Sequence, residues 1–381
     1  MFCNIIRILL GKRKNLMPLS TFNPANYDQL LTDKLAHYLP LFDQLDFTEP
    51  QVFTSPTSHY RMRAEFRMWH DENRLNYVMF KKDNPKEPIE IHDFPIASKT
   101  ITALMPLLRD QLQVNEELRR KLFQVEFLST TNGDMLVSLL YHKRLDENWS
   151  IEATKLSDAL QVKIIGRARK QKFVIGGDFV TENLIIDQRE YKYRQFENAF
   201  TQPNAAINVE MINWALSCCD NISGDLLELY CGNGNFTIPL AAKFDRVLAT
   251  EISKSSVAAA HHNCHANAVE NITMLRMSSE EFTSAWNKER QFRRLKDIDI
   301  DSFNLSTILV DPPRAGLDDK TLKLAQRFDN ILYISCNPQT LADNLATLCQ
   351  SHTIVKTAFF DQFPYTQHLE SGVLLQRKED G

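Results

Sequence analysis

Asp225–Leu240 reads DLLELYCGNGNFTIPL: a short apolar run, two glycines one residue apart, then a segment that can open a helix. Strand, tight turn, helix is the reading this order supports. Gly232 and Gly234 let the backbone turn sharply and let a ligand approach it closely. Taken alone, such a turn is equally a plain strand-to-helix connection. The dinucleotide fingerprint GxGxxG is not met, because Thr237 stands where its third glycine would be. Glu251 adds information. It comes nineteen residues after Gly232 and closes the next apolar run, RVLATE. A carboxylate there can accept hydrogen bonds from both hydroxyls of a ribose, which suits an adenosine-bearing ligand with or without phosphates.

Working outward, DLLELY, RVLATE, ITMLRM, TILVD and ILYISC are short, mostly apolar runs separated by segments with helical spacing. Continuous apolar strands between helices indicate a parallel sheet covered on both faces. The tail differs: HTIVKTAFF and GVLLQRK, separated by one loop, predict a terminal antiparallel pair. Toward the N-terminus the rhythm changes. Residues 17–50 predict a helix and a loop, and HYRMRAEFRMWH and LNYVMF predict strands. Helices are expected over 98–123 and 147–160. Between them QVEFLST and MLVSLLYHKR flank an Asn132–Gly133 turn, and VKIIGRAR and KFVIG follow. The fold class is therefore α/β for the second half, with a mixed α+β domain in front. The expected division is 1–16, 17–195 and 196–381.

The chain of 381 residues has an ordinary globular composition, 43% hydrophobic and 24% charged, which excludes a disordered chain. Net charge is −4, so no global basic field announces a nucleic-acid partner, and the question must be settled by region. The 7 cysteines include no CxxC pair and no spaced set suited to zinc or an iron–sulfur cluster. Free thiols in a reducing cytoplasm are the natural reading. Residues 1–16 carry an apolar run followed by basic residues, the reverse of a signal peptide. They are read as an upstream extension, expected to be disordered, with Met17 as the alternative start.

Three sites carry chemistry. Val310-Asp-Pro-Pro-Arg-Ala-Gly-Leu317 ends a strand in a stiff double-proline turn; it is either a strand terminator or a rim that aims Asp311 at a ligand. Cys336 stops the strand ILYIS before Asn337–Pro338. A lone cysteine is commonly an inert small hydrophobe. Ligands of open parallel sheets, however, sit at the carboxyl ends of the strands, the edge Cys336 shares with Gly232, Glu251 and Asp311. Glu370 and His368 fall in a loop before an apolar strand, where an acid is by default solvated.

ELYCGNGNF, VDPPRAGLD, LYISCNP and FPYTQHLESGVLL resemble the signature blocks of the RNA uracil-5-methyltransferases. SHYRMRAEFR, LLYHK and NAFTQPNAAIN are similar to the branch that acts on bacterial tRNA, and the likeness covers nearly everything after Met17. Glu228 stands where such enzymes carry an acid that supports the glycine loop. The resemblance implies a Rossmann-like S-adenosylmethionine-dependent methyltransferase domain preceded by an RNA-binding domain. It implies cofactor contacts at Gln202, Tyr230, Asn235, Glu251 and Asp311, with Cys336 as nucleophile and Glu370 as base. The expected product is 5-methyluridine at position 54 of the tRNA T loop, with tRNA-like RNA such as tmRNA as a further substrate. No metal, iron–sulfur cluster, membrane or obligate protein partner is expected.

The chemistry explains the residue types. Carbon 5 of uracil is a poor nucleophile until a thiolate adds at carbon 6 and makes an enolate. A base must afterwards remove the carbon-5 proton, and the uridine must leave its stack to be reached. Basic and aromatic clusters could grip RNA: His59, Tyr60, Arg61, Arg63 and Arg67; then Arg119, Arg120, Lys121 and Phe123; then His142, Lys143 and Arg144; then Arg167, Arg169, Lys170 and Lys172. Each is equally an ordinary solvated face. Arg67, Phe123 and His142 are the residues singled out for RNA contact, and Phe363 and Tyr365 are candidates to line the base pocket. The alternatives are a ribosomal-RNA uracil-5-methyltransferase and a non-catalytic RNA-binding or RNA-folding module. A cytosine-5-methyltransferase is disfavoured because Arg314 stands where a ProProCys arrangement would need cysteine.

Overall fold

The computed structural model describes residues 22–71, 74–80 and 87–379. The expected upstream extension, residues 1–16, and Met17 lie outside them. Early in the described residues come the helix Tyr27–Tyr38 and strand β1, Gln51–Phe53. A seven-stranded sheet follows, built from β2 (Arg63–Asp71), β3 (Arg74–Phe80), β4 (Pro88–Glu90), β5 (Leu122–Ser129), β6 (Met135–Tyr141), β7 (Lys163–Ala168) and β8 (Gln171–Ile175). Its order is β4-β3-β2-β5-β6-β7-β8. The helices Lys99–Val114 and Glu147–Leu160 bring Leu108, Leu112, Trp149 and Ala153 into the core of this half, with Phe66, Val125 and Leu139 from the strands. The predicted 147–160 helix starts where Asp146 accepts from Trp149 N, an ordinary cap.

The predicted single helix over 98–123 is a correction. It stops at Val114, a separate short helix Glu116–Arg119 follows, and β5 already begins at Leu122. Asn115 takes an extended conformation and its side chain accepts from Leu118 N at 3.0 Å, so a new cap interrupts the helix. Also unforeseen is the antiparallel ribbon β9 (Phe179–Ile186) and β10 (Arg189–Phe196).

The remaining strands are β11 (Asp225–Leu229), β12 (Val247–Thr250), β13 (Ile272–Leu275), β14 (Leu305–Val310), β15 (Asn330–Ser335), β16 (His352–Phe360) and β17 (Glu370–Arg377). They form an eight-stranded sheet in the order β1-β16-β17-β15-β14-β11-β12-β13. β11 to β15 are parallel, and β17 runs antiparallel to both β15 and β16. β11 and β12 are buried along their whole length, as strands covered on both faces must be. One face packs around Met211, Trp214, Phe236 and Phe360, the other around Phe282, Phe328, Tyr333 and Leu345. β1 pairs with β16, so the first described segment of the chain closes the edge of the sheet that carries the site.

Candidate active site

The strand order reverses between β11 and β14, the place where open α/β sheets bind ligands. Leu229 pairs with both Thr250 and Val310. Tyr230, Glu251 and Asp311 are therefore the next residues of three neighbouring strands. Tyr230 leaves β11 at φ 64°, an uncommon left-handed conformation for a tyrosine, and its hydroxyl donates to Ser279 Oγ at 2.7 Å. Gly232 follows at φ 58°, and a Cβ built on it would meet nothing within 4 Å. Its backbone thus presents a bare surface at the mouth of the crevice.

Glu251 faces that surface. One carboxylate oxygen accepts from Gly232 N at 3.1 Å and the other from Ser253 N at 2.6 Å. A single N–H on each oxygen fixes the plane of the group and leaves lone pairs for ribose hydroxyls. Asn235 exchanges two hydrogen bonds with Asn208, at 2.8 and 2.9 Å, so its amide ties the glycine loop to the helix Ala205–Cys218. Gln202 accepts from Gln362 Nε2 at 2.8 Å. Asn208, Ser253 and Gln362 were missed as site residues. The only signal for Asn208 was its place in the NAAIN block, and none existed for the other two. This cradle of an open glycine, a fixed carboxylate and polar amides fits an adenosine-bearing methyl donor.

Register brings the remaining groups together. Ser335 pairs with Ser371, and Glu370 pairs with Phe360 on the other side of β17. Cys336, one step past Ser335, is thus level with Glu370 across the β15–β17 ladder. The expectation that Glu370 lies in a solvated loop is corrected: it is the first residue of β17 and 4% exposed. Burial pushes its carboxyl up to about 8, helped by the charge of Asp311, and burial alone pushes Asp311 up to about 7. Burial also raises the Cys336 thiol to about 12, with Glu370 and Asp311 adding to the shift and Arg314 opposing it. Glu228 is buried beneath the loop, and desolvation pushes its carboxyl up to about 8.

The Asp-Pro-Pro turn is a built rim. Gly316 takes φ 77°, and a Cβ there would come within 2.8 Å of Asn344 Oδ1. That oxygen accepts from Leu317 N and from the Tyr333 hydroxyl. The Arg314 carbonyl accepts from Asn337 Nδ2 at 3.0 Å, which couples the rim to the residue after Cys336. Tyr365 does not line a pocket. It is 6% exposed, packs against Phe22 and Tyr27, and donates from its hydroxyl to Thr57 O.

The chain matches the model of the tRNA (uracil-5-)-methyltransferases over residues 26–378. It belongs to that family. As a member it is an S-adenosylmethionine-dependent methyltransferase. A tRNA/tmRNA (uracil-C(5))-methyltransferase of Aromatoleum aromaticum is 53% identical over 362 residues, spanning 95% of this chain and 98% of the relative. One of Shewanella denitrificans is 52% identical over 95% of this chain and 100% of its own. Among solved structures, the Pyrococcus abyssi tRNA (uracil-54, C5)-methyltransferase in complex with S-adenosyl-L-homocysteine superposes with a TM-score of 0.69. It covers 92% of this chain and 83% of that one at 21% identity, which shows the shared Rossmann-like fold.

Of the basic clusters, several cations of this family member are bound internally. Arg63 donates to Ala199 O, His59 Nδ1 lies 2.9 Å from Ala97 O, and Arg167 and Lys143 pair with Glu197 and Glu117. Tyr60 is buried. Another group comes together instead. The Phe123 and His142 rings stack 3.8 Å apart at 10°, and the exposed Arg67 guanidinium lies 5.4 Å from the Phe123 centroid. A register shift in β5 between Leu122 and Gln124 marks Phe123 as the irregular residue of its strand.

No helix among the described residues is long and apolar enough to cross a membrane.

Proposed function

We propose that the chain methylates carbon 5 of uridine 54 in the T loop of tRNA, and of tRNA-like RNA such as tmRNA, through a covalent adduct of Cys336. The observation that carries this reading is the level pairing of Cys336 and Glu370 beside Asp311, at the sheet edge that also holds Gly232 and Glu251. The names of the two bacterial relatives, which act on tRNA and tmRNA, support the substrate class. S-adenosylmethionine, when bound, supplies the methyl group, and Gln202, Tyr230, Asn235, Glu251 and Asp311 would hold it.

The protein's own steps follow from its groups. Cys336 sulfur bonds to carbon 6, and the electrons of the carbon 5–carbon 6 double bond move into the enolate. Burial raises the thiol, so its proton passes to water as the sulfur–carbon bond forms, and the sulfur expelled at the end recovers a proton from Glu370. Once carbon 5 carries the methyl group, the Glu370 carboxylate accepts the hydrogen left there as a proton. The electrons of that C–H bond restore the double bond, and the bond from carbon 6 to sulfur breaks. Glu370 is suited to this work because a base whose pKa lies near the working pH both accepts and returns a proton readily.

Fluorine at carbon 5 cannot leave as a proton, so 5-fluorouridine-substituted tRNA should trap the enzyme. The expected adduct survives denaturation and maps to Cys336 on the protein and nucleotide 54 on the RNA. Trapping on ribosomal-RNA transcripts alone would reverse the substrate assignment.

The stacked pair Phe123–His142, with Arg67 beside it, is a platform suited to an unpaired base with its phosphate nearby. Stacking is worth roughly 1–3 kcal/mol per base. Phe123→Ala should therefore raise KM for tRNA roughly 5- to 150-fold at that magnitude while changing kcat less. Steady-state kinetics over a tRNA titration would check it; an unchanged KM removes Phe123 from the RNA interface.

A further inference from the structure

Glu370 is delivered to the site by the segment Asp361–Leu369, and that segment is gripped from another part of the chain. Lys34, on the helix Tyr27–Tyr38, is 3% exposed and pairs at 2.5 Å with Asp361, itself 2% exposed. The same ammonium donates to Phe363 O at 3.1 Å and to His368 O at 3.0 Å. Its three N–H groups thus meet three acceptors. One lies where β16 ends and another only two residues before Glu370. Tyr38 reinforces the grip, donating from its hydroxyl to Gln367 O at 2.6 Å, and the Tyr60 hydroxyl donates to Pro364 O.

Burying an ammonium is a poor way to gain stability. Desolvation opposes it, and buried ion pairs can often be replaced by packed apolar groups at little cost. An apolar side chain at position 34 could fill the space, but it could not bind two carbonyls and a carboxylate of one loop at once. What the ammonium adds is a fixed path for that loop.

We propose that Lys34 is a positioning residue for the base: it holds Asp361–His368 so that the Glu370 carboxyl enters the site aimed at carbon 5. The proposal rests on the reading of Glu370 as proton acceptor. Cys336 is delivered by a different strand, at the end of β15, and its attack does not depend on the clamp. Releasing the loop should therefore slow the last step and spare the first.

The test uses Lys34→Met and the double variant Lys34→Met/Asp361→Leu, which leaves no unpaired buried charge, with unmodified tRNA and S-adenosylmethionine in rapid-quench experiments. Covalent enzyme–tRNA complex should form at the wild-type rate but break down more slowly, by roughly 10- to 100-fold, as expected for a catalytic group misplaced by about an ångström. The complex then accumulates during turnover. Should the single variant lose its fold, the double variant carries the test, with its thermal melt as the control. Formation and breakdown slowed by one common factor, or breakdown left unchanged in a folded variant, overturns the proposal. Glu370→Gln, run in parallel, separates the two claims. If it accumulates no complex, the reading of the base itself fails; if it does and the Lys34 variants do not, only the clamp falls.

Discussion

Replacing Cys336 with alanine should abolish 5-methyluridine formation, with a fall of at least ~10⁴-fold in single-turnover rate, or roughly 5 kcal/mol at about 1.36 kcal/mol per decade. The size follows from the chemistry. Without the sulfur–carbon 6 bond, carbon 5 never becomes electron-rich, and no neighbouring group substitutes for that bond. Ligand binding should be nearly untouched, because Cys336 follows β15 while Gly232 and Glu251 follow β11 and β12. Calorimetric titration with S-adenosyl-homocysteine should therefore give similar affinities for variant and parent. Retained turnover in Cys336→Ala would remove the covalent mechanism.

Glu370→Gln should show the second-largest loss, roughly 10²–10⁴-fold in turnover, the usual contribution of a positioned base. The loss should fall on product release from the adduct, so a methylated covalent complex should build up and be visible on denaturing gels. A pH profile adds an independent check. The Glu370 carboxyl is raised by burial to about 8, so the fraction able to accept a proton increases with pH up to and through that value. Adduct breakdown in the parent should rise accordingly, and the limb should vanish in the glutamine variant.

The same shift has a stability consequence of definite sign. A carboxyl whose folded pKa lies above its unfolded value binds more protons in the native state, so it lowers stability as pH rises from the unfolded pKa toward about 8. Glu370→Gln should flatten that decline, leaving an inactive protein that melts higher than the parent at neutral pH. A buried acid held beside Asp311 is thus a stability cost carried for function.

The strands from Asp225 to Ser335 were legible because both-sided burial writes continuous apolar runs, and because a glycine turn and a double proline punctuate their ends. Cys336 and Asp311 could be assigned to one edge for the same reason. The helix over 147–160 was equally clear from its apolar spacing, and Asp146 caps its start. The ribbon β9–β10 was not legible: an inward position of β9 is the buried acid Glu182 and β10 is rich in charged residues, so neither shows a clean apolar alternation. Glu370 was misjudged because a single acid after a loop carries no mark of burial. Only pairing with β15 and β16 shows that β17 begins at that residue. In the basic clusters, sequence counts charges but does not show that Arg167 and Lys143 already have acidic partners.

Sequence by itself determined the parallel α/β architecture and the glycine turn with its distant carboxylate, because these depend on local composition and spacing; Cys336 and Glu370 stood out only through the resemblance of their blocks to a family. Tertiary structure alone decided that Glu370 is level with Cys336, that Phe123 stacks on His142, and that Lys34 reaches the loop before Glu370. Those relations join residues far apart in the chain. They arise from strand register and packing, which no local run of amino acids encodes.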